Sequence, residues 1–376
     1  MSKPIAARCA RALAATALAA CSVSALAAVP AVQRQVLEDL YNSTNGPGWT
    51  ISTNWLVGDP CEQAWYGVVC SSFGDAVTRI TLPGNNLVGT SGVASLPVNF
   101  NALTSLIEVN LDANALTGAI PALTGLNDLF YFRVSNNNLT GPIPQLSGLQ
   151  ALEKFLAYSN GLTGPIPELT NLPALEVVSV SYNRLTGSIP PLAGVPTLKL
   201  FWARDNQLEG AIPALDSLVA LEGFEVSRNA LSGVIPPLGS LAVLKELYVS
   251  DNQLSGPISA LPNTLIRLNA SGNNFSGPVP PAPPALLPGL SQLCLPAVAG
   301  RANNRDMLPS PDAATNAAWN IATGETDWNA GCRAAAAVAV PTLGQWALMA
   351  MGLLMTVMAG LGCARTRQLH QRRQLL

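Results

Sequence analysis

Apolar and polar residues follow one spacing through the middle of the chain, and asparagine marks it. This residue recurs every 23 positions from 114 to 252, with one copy 29 positions earlier and one 21 positions later. Leucine stands eight positions before each copy from Asn114 onward, and glycine stands four positions after every copy. The nine copies are Asn85, Asn114, Asn137, Asn160, Asn183, Asn206, Asn229, Asn252 and Asn273. A fixed period of this length is typical of a repeat architecture.

The repeat reads L-x-x-[FVL]-x-[VAL]-x-x-N-x-L-x-G-x-I-P. Alternation before the asparagine predicts a short strand, and successive strands are expected to stack as a parallel sheet. The asparagine is expected inside, with its amide bonded to the backbone of adjacent turns. Glycine is expected to permit the turn after the strand, and proline to stiffen an extended or 3-10 return segment. The longer interval before Asn114 predicts a bulge around residues 90–96.

This unit resembles the plant-type leucine-rich repeat over residues 77–280. The resemblance implies an α/β repeat protein, a leucine-rich-repeat solenoid with a parallel β-sheet on its concave face and an extended or 3-10 convex side. Nine turns are expected over 74–289. Terminal turns expose leucines, so caps are needed at both ends, and we expect them to be disulfide-bonded.

The N-terminal cap is expected over 28–73. Gln33 to Tyr41 reads as a helix with an apolar stripe, and the string from Asn42 to Cys70 resembles the cap of plant-type repeat ectodomains and their bacterial relatives. The C-terminal cap is expected over 290–333, where Trp319 and Trp328 accompany a cysteine pair.

Four cysteines fall in the part of the chain expected to be exported. An even number in an oxidising compartment suggests two disulfides, and sequence proximity pairs Cys61 with Cys70 and Cys294 with Cys332. Metal ligation is the weaker alternative, because no Cys-x-x-Cys spacing and no histidine accompany them.

Both ends of the chain read as targeting segments. Residues 1–27 combine a basic start, an apolar stretch and a small-residue cleavage site, which predicts a signal peptide. Cys21 stands in a lipobox-like string, so lipidation there is the alternative. Residues 346–364 carry no charge and predict a transmembrane helix, and the basic tail 365–376 is then expected in the cytoplasm.

A short motif precedes that apolar stretch, within the linker at 334–345. Val340 to Trp346, with the apolar and basic segments behind it, resembles the IPTL-type C-terminal sorting signal of Gram-negative bacteria. The motif residues are Pro341, Thr342, Leu343 and Trp346. The resemblance implies an exosortase-like membrane protease as a partner and a location at the cell envelope or surface. A plain single-pass anchor is the alternative.

Composition argues against several kinds of chemistry. The formal charge of −2 gives no electrostatic reason to expect nucleic acid. The single histidine, His370, lies in the expected cytoplasmic tail, so histidine-dependent catalysis and a histidine-bearing metal site are not expected in the exported domain. No phosphate-binding or dinucleotide-binding glycine motif is present. We therefore expect no cofactor and no metal.

The exposed face of the predicted sheet is the remaining candidate site. Positions six, four, two and one before each repeat asparagine vary while the framework does not. Aromatic and arginine side chains there have the composition of interface hot spots and predict a protein or polysaccharide partner. The candidates are Tyr131, Arg133, Tyr158, Tyr182, Trp202, Arg204, Glu225 and Tyr248. The alternative is that these aromatics are ordinary strand formers.

Two other functions compete with recognition. Glu225 and Glu246 fall on neighbouring turns and could form the carboxylate pair of a glycan-active enzyme, although a shallow face is expected to offer little to raise a carboxyl pKa. A threonine column at 117, 140, 163 and 186 suggests ice or surface binding, but it breaks at Glu209.

Overall fold

The computed structural model describes residues 28–90, 92–294, 304 and 306–333. Its helices are α1 (Ala31–Ser43), α2 (Ala313–Thr323) and α3 (Ala330–Arg333), with 3-10 turns at Gly46–Gly48 and Phe100–Ala102. The strands, numbered in chain order, are β1 (Val68–Cys70), β2 (Val77–Thr81), β3 (Glu108–Asn110), β4 (Thr117–Gly118), β5 (Tyr131–Arg133), β6 (Asn138–Gly141), β7 (Lys154–Leu156), β8 (Gly161–Gly164), β9 (Val177–Ser179), β10 (Arg184–Gly187), β11 (Leu200–Trp202), β12 (Gln207–Ala211), β13 (Gly223–Glu225), β14 (Ala230–Gly233), β15 (Glu246–Tyr248), β16 (Gln253–Gly256), β17 (Arg267–Asn269), β18 (Asn274–Pro278) and β19 (Asp306–Leu308).

The strands that precede the asparagines form one sheet in the order β1-β2-β3-β5-β7-β9-β11-β13-β15-β17. Strand β1 is antiparallel to β2, and the nine strands from β2 onward are mutually parallel, one for each repeat asparagine. Equivalent repeat positions lie opposite one another, as Tyr131 does with Lys154 and Trp202 with Glu225. The predicted leucine-rich-repeat solenoid with a parallel sheet is confirmed.

The repeat asparagines join consecutive turns inside the solenoid. Asn183 is 9% exposed, and its Oδ1 accepts from the backbone nitrogen of Leu162 at 2.9 Å. Its Nδ2 donates to the carbonyls of Ala157 in the preceding turn and Val180 in its own, both at 3.0 Å. The same contacts recur from turn to turn, because a buried amide is tolerated only when its hydrogen bonds are satisfied.

Apolar side chains fill the space between the two sides of the solenoid. In the first sheet, the middle residue of each three-residue strand from β3 to β17 points inward, and neighbouring phenylalanines stack there. The ring centroids of Phe132 and Phe155 are 5.7 Å apart, and those of Phe201 and Phe224 are 5.4 Å apart. Stacked rings and leucines at one depth form a continuous core that no single turn could bury alone.

The return segments form a second parallel sheet, which the sequence predicted only as extended or 3-10 backbone. Its order is β19-β18-β16-β14-β12-β10-β8-β6-β4. From β4 to β16 the partner residues are 21 positions apart, so Thr140 lies opposite Gly161 and Thr163 opposite Arg184. Equivalent repeat positions are therefore offset by two residues from one strand to the next.

The repeat glycine turns the backbone at a later point in each repeat than the sequence predicted. The residue that turns the chain after the first-sheet strand is the one just before the asparagine, and in seven consecutive turns it is a non-glycine residue with positive φ. These residues are Ala113, Asn136, Ser159, Tyr182, Asp205, Arg228 and Asp251. The repeat glycine instead ends the second-sheet strand, as Gly141 does at φ +77°. The prediction that glycine permits the first turn was wrong.

The inserted segment around 90–96 lies at the edge of the solenoid, but it is packed there. Leu96 is 1% exposed, and the backbone nitrogen of Ser95 donates to the carbonyl of Thr117 in β4 at 2.9 Å. Ser43, at the end of α1, donates its hydroxyl to the carbonyl of Ser95 at 2.7 Å. The insertion therefore covers the edge strand of the second sheet.

The N-terminal segment buries aromatic rings against the first turn. Val36, Leu37 and Leu40 of α1 are fully buried, as the stripe predicted. Beside them Tyr41, Trp49, Trp55 and Trp65 form a chain of ring contacts, with neighbouring centroids 4.7 to 5.7 Å apart. The disulfide Cys61–Cys70, with Cα atoms 5.8 Å apart, ties this segment to β1.

The C-terminal segment continues both sheets. Strand β19 pairs with β18, and Gln292 forms a parallel bridge with Asn269 at the end of the first sheet. Trp319 of α2 is fully buried and donates its indole N–H to the carbonyl of Pro280 at 2.7 Å. The second disulfide, Cys294–Cys332, has Cα atoms 4.9 Å apart, so both predicted pairings are confirmed.

Several predictions concern parts of the chain outside the described residues. These are the signal peptide at 1–27 with Cys21, the sorting-motif residues Pro341, Thr342, Leu343 and Trp346, the apolar segment 346–364 and the basic tail 365–376. Among the described helices, none has both the length and the apolar character needed to cross a membrane.

Candidate ligand-binding face

The outward side of the first sheet, with the turn that follows each strand, is called the ligand face here. It consists of the residues six, four, two and one positions before each repeat asparagine. Sheet register places the first two positions in straight rows across the strands. One row contains Arg79, Glu108, Tyr131, Lys154, Val177, Leu200, Gly223, Glu246 and Arg267. The other contains Thr81, Asn110, Arg133, Leu156, Ser179, Trp202, Glu225, Tyr248 and Asn269.

Three of the predicted residues stand side by side in the second row. Trp202, Glu225 and Tyr248 are directly opposite one another on β11, β13 and β15. The indole also overhangs a glycine, because a Cβ placed on Gly223 would lie 3.7 Å from Trp202 Nε1. The three side chains therefore form one contiguous patch of aromatic surface around a carboxyl group.

Burial within this patch changes its acid–base behaviour. It raises the pKa of Glu225 to about 7, against the opposing effects of the Arg204 charge and the hydrogen bond from the Ser227 backbone nitrogen at 3.1 Å. Burial also raises the pKa of Tyr248, and the charge of Glu246 adds to that effect. The expectation that a shallow face would offer little to raise a carboxyl pKa was wrong for Glu225.

A second group of residues surrounds Tyr131. Arg133 lies on the same strand, with its Cζ 5.6 Å from the centroid of the tyrosine ring. Lys154, directly opposite on β7, has its Nζ 4.8 Å from that centroid. Lys154 was not among the predicted site residues, although it shares the repeat position of Tyr131 and register alone would have placed them together.

A third group lies along the turns that follow β9 to β15. Arg204 packs its Cζ 6.0 Å from the centroid of the Tyr182 ring and bonds Asp205 through Nε at 2.8 Å. Arg228 lies between Asp205 at 3.6 Å and Asp251 at 3.7 Å. A cavity of about 390 Å³ opens here, lined by Asp205, Arg228, Asn229, Asp251, Asn252, Gln253 and Gly272. The sequence did not predict this cavity, because its walls come from four different turns.

Tyr158 is apart from the other predicted residues. Its hydroxyl accepts from Asn136 Nδ2 at 3.3 Å, one turn earlier. The predicted site residues thus form two compact groups, a pair at Tyr182 and Arg204, and this single tyrosine.

The structure also locates the residues on which the two alternative functions depend. Glu225 and Glu246 are on adjacent strands, but Glu246 forms an ion pair with Arg267. The threonine column lies in the second sheet, where Thr140, Thr163 and Thr186 are exposed. Because equivalent positions are offset by two residues between strands, this column runs obliquely.

Comparison with known families finds two matches within the chain. A Leucine Rich Repeat model matches residues 264–286, and an IPTL-CTERM motif model matches residues 338–368. Among curated proteins, the Arabidopsis thaliana protein STRUBBELIG-RECEPTOR FAMILY 5 is 36% identical over 89 residues. That match covers 23% of this chain and 11% of the relative.

Two solved structures share the fold. The ectodomain of the Arabidopsis thaliana receptor kinase GASSHO1/SCHENGEN3, in complex with CASPARIAN STRIP INTEGRITY FACTOR 2, is 30% identical with a TM-score of 0.57. The match covers 69% of this chain and 32% of that one. A plant ice-binding protein is 25% identical with a TM-score of 0.51, over 67% of this chain and 89% of that one. The chain therefore carries leucine-rich repeats folded as in plant ectodomains, together with an IPTL-CTERM motif.

Proposed function

We propose that this protein is an exported recognition protein that binds a protein or polysaccharide partner on the ligand face and does no chemistry on it. The observation that carries the proposal is the row of Trp202, Glu225 and Tyr248 on three consecutive strands. Aromatic residues held on a rigid sheet lose little conformational freedom on binding and commonly dominate interface energetics.

The regular strands and asparagine contacts beneath the ligand face support a recognition function. Strands and asparagine contacts repeat with little change, while the ligand-face positions differ from turn to turn. The GASSHO1/SCHENGEN3 ectodomain, which shares the fold, was solved in complex with a partner. A solenoid of this kind therefore offers a large surface whose side chains can vary without disturbing its core.

The C-terminal motif supports a surface location. The IPTL-CTERM match at 338–368 suggests sorting, with an exosortase-like membrane protease as the processing partner and a C-terminal helix as an anchor at least for a time. On this proposal the ligand face is displayed outside the cell.

Substitution of the central aromatics tests the ligand face. Partners are first captured by crosslinking pull-down from cells of the source organism, using the full-length chain. Trp202→Ala and Tyr248→Ala are expected to weaken capture of the identified partner at least about tenfold without changing the fold. Phe73→Ala is the matched control, because Phe73 is 72% exposed but lies in the N-terminal cap. Equal capture by all variants would place the site elsewhere.

Ice or surface binding is a second candidate, favoured by the exposed threonines of the second sheet and by the likeness to the plant ice-binding protein. Thr163→Lys is expected to abolish inhibition of ice recrystallisation if this sheet is the active surface. The oblique column and its break at Glu209 make recognition on the ligand face the first candidate. Absence of any inhibition by the unsubstituted protein would eliminate the second.

A further inference from the structure

Two cations on the ligand face form no ion pair with any residue that the structure describes. Arg133 and Lys154 both approach the ring of Tyr131, and neither makes a side-chain hydrogen bond or an ion pair within the described residues. Asp112, on the preceding turn, points its Oδ1 instead at the backbone nitrogen of Ser135, which donates at 2.7 Å. Among the described residues no carboxylate oxygen therefore lies within 4 Å of either cation, although Glu153 and Glu176 act on Lys154 from further away.

The other cations of the ligand face all form ion pairs. Each of them has a carboxylate oxygen within 4 Å, supplied by an adjacent turn or by the next residue. The pairs are Arg79 with Glu108, Arg204 with Asp205, Arg228 with Asp205 and Asp251, and Arg267 with Glu246. Among the described residues, Arg133 and Lys154 are therefore the two cations of the ligand face that form no ion pair.

Two adjacent cations with no carboxylate oxygen within 4 Å are unfavourable for the protein when nothing is bound to them. The Nε of Arg133 is buried and has no hydrogen-bond partner within the described part of the chain. Burial lowers the pKa of Lys154 and the nearby charge of Arg133 lowers it further, against the smaller opposing effects of Glu176 and Glu153. Buried donors without acceptors and adjacent like charges both destabilise a fold. Such local conflicts are expected at functional sites, where an external group resolves them.

The surface beside the cations indicates what kind of partner supplies that group. Continuing along the sheet from Lys154, the apolar outward side chains are Leu156, Val177, Leu200 and Trp202, with the small Ser179 between Leu156 and Trp202. Leu156 is 8% exposed. Aliphatic side chains on adjacent strands suit the apolar side chains of a polypeptide better than the hydroxyl-covered faces of a polysaccharide.

We propose that Arg133 and Lys154 anchor the carboxylate of an aspartate or glutamate from a protein partner, whose adjacent apolar side chains pack on the strip that ends at Trp202. This inference rests on the proposed use of the ligand face and adds the class of partner. An extended segment of seven residues spans about 23 Å, which covers about five strands spaced 4.8 Å apart. Such a segment can reach from the cation pair to the Trp202 patch.

Peptide libraries test the anchor on the full-length protein. Four sets of end-blocked heptapeptides carry random uncharged residues around a fixed central Asp, Glu, Asn or Gln. The unsubstituted protein is expected to retain the Asp and Glu sets at least about tenfold more than the amide sets. Arg133→Gln combined with Lys154→Met is expected to remove that preference. Arg184→Gln, which neutralises an exposed cation of the second sheet, is the charge-matched control and is expected to retain it.

Folding is followed separately through the single variant Lys154→Met. Its melting temperature is expected to be no lower than that of the unsubstituted protein, because a half-buried charge beside Arg133 is removed. Loss of the acidic preference in this variant at an unchanged melting temperature supports the anchor.

Three results would overturn the proposal. Retention of acidic and amide sets to the same extent would show that no carboxylate is recognised. Survival of the preference in the double variant would place the anion elsewhere. Binding of oligogalacturonate that depends on Arg133 and Lys154, without binding of acidic peptides, would assign the cations to a polysaccharide. In each case the Trp202 and Tyr248 variants still decide separately whether the ligand face is used.

Discussion

Asn304 accepts a hydrogen bond from the backbone nitrogen of Phe275 at 3.0 Å, the contact that each repeat asparagine makes to the turn before it. Its Nδ2 donates to the carbonyl of Ala270 at 2.9 Å, again as in the repeats. Because β19 extends the second sheet and Gln292 the first, the C-terminal segment is an irregular tenth turn. The cap therefore protects the last leucines by continuing the pattern it terminates.

Asn304→Ala is expected to loosen this end of the solenoid. The substitution leaves the buried N–H of Phe275 without an acceptor, which costs about 2 kcal/mol locally. Hydrogen exchange of the amides near Phe275 is expected to accelerate while those of the central turns stay protected. Asn274→Ala is the control, because Asn274 is adjacent but exposed. Unchanged protection in the Asn304 variant would show that the disulfide and α2 hold the cap without it.

The sequence predicted the features that recur in every turn and did not predict those that occur only once. The period located the nine parallel strands, because inward leucines and asparagines are needed at the same place in every turn. Asn304 escaped it, since 31 residues separate this asparagine from Asn273 and no glycine follows at the usual position. The disulfides followed from proximity in sequence, which suffices when only four cysteines lie between the two predicted targeting segments.

The ligand face was predictable in outline but not in its groupings. Outward positions follow from alternation along a strand, so the rows containing Trp202 and Tyr248 could be written down in advance. The ion pairs could not be predicted, because they depend on the direction in which each long side chain extends across the neighbouring turns. Which cations have carboxylate partners, and that Lys154 does not, therefore emerged only from the three-dimensional arrangement.

The positive φ before each asparagine predicts a pair of substitutions with opposite effects. Ala113 has φ +56°, a conformation that disfavours a Cβ, so Ala113→Gly is expected to stabilise the turn by about 1 kcal/mol. Ala115, two residues later, does not share this conformation, and Ala115→Gly is expected to destabilise by about 1 kcal/mol through added chain entropy. Urea unfolding of both variants measures the difference. Equal shifts of the same sign would contradict a strained first turn.

The sorting motif predicts a defined processing defect. Replacing Pro341 and Thr342 with alanine is expected to leave a full-length precursor, because the proposed protease would no longer recognise its site. Immunoblotting of cell fractions against the solenoid, with mass analysis of the C-terminus, measures this. Pro311→Ala, outside the motif, is the control. Normal processing of the double variant would reduce the C-terminus to a plain anchor.

Glu225 predicts a pH dependence that runs opposite to that of most carboxyl groups. Its pKa in the fold is about 7, above the 4.5 of an unburied glutamate, so the folded protein binds a proton more tightly than the unfolded chain. Stability contributed by this proton is complete below about pH 4.5 and is lost as the pH rises through 7. The loss is about 3 kcal/mol, since each pKa unit corresponds to about 1.4 kcal/mol.

Glu225→Gln separates this effect from other titrations. The neutral amide keeps the shape and can still accept from the backbone nitrogen of Ser227, so the variant is expected to melt higher than the unsubstituted protein at pH 8 and equally at pH 5. Glu209→Gln removes the same charge from an exposed position in the second sheet and is expected to leave the pH profile unchanged. Melting curves at the two pH values decide the matter. If Glu225→Gln shifts both curves equally, the carboxyl group is ionised throughout, and the Trp202 patch would present a fixed negative charge to the proposed partner.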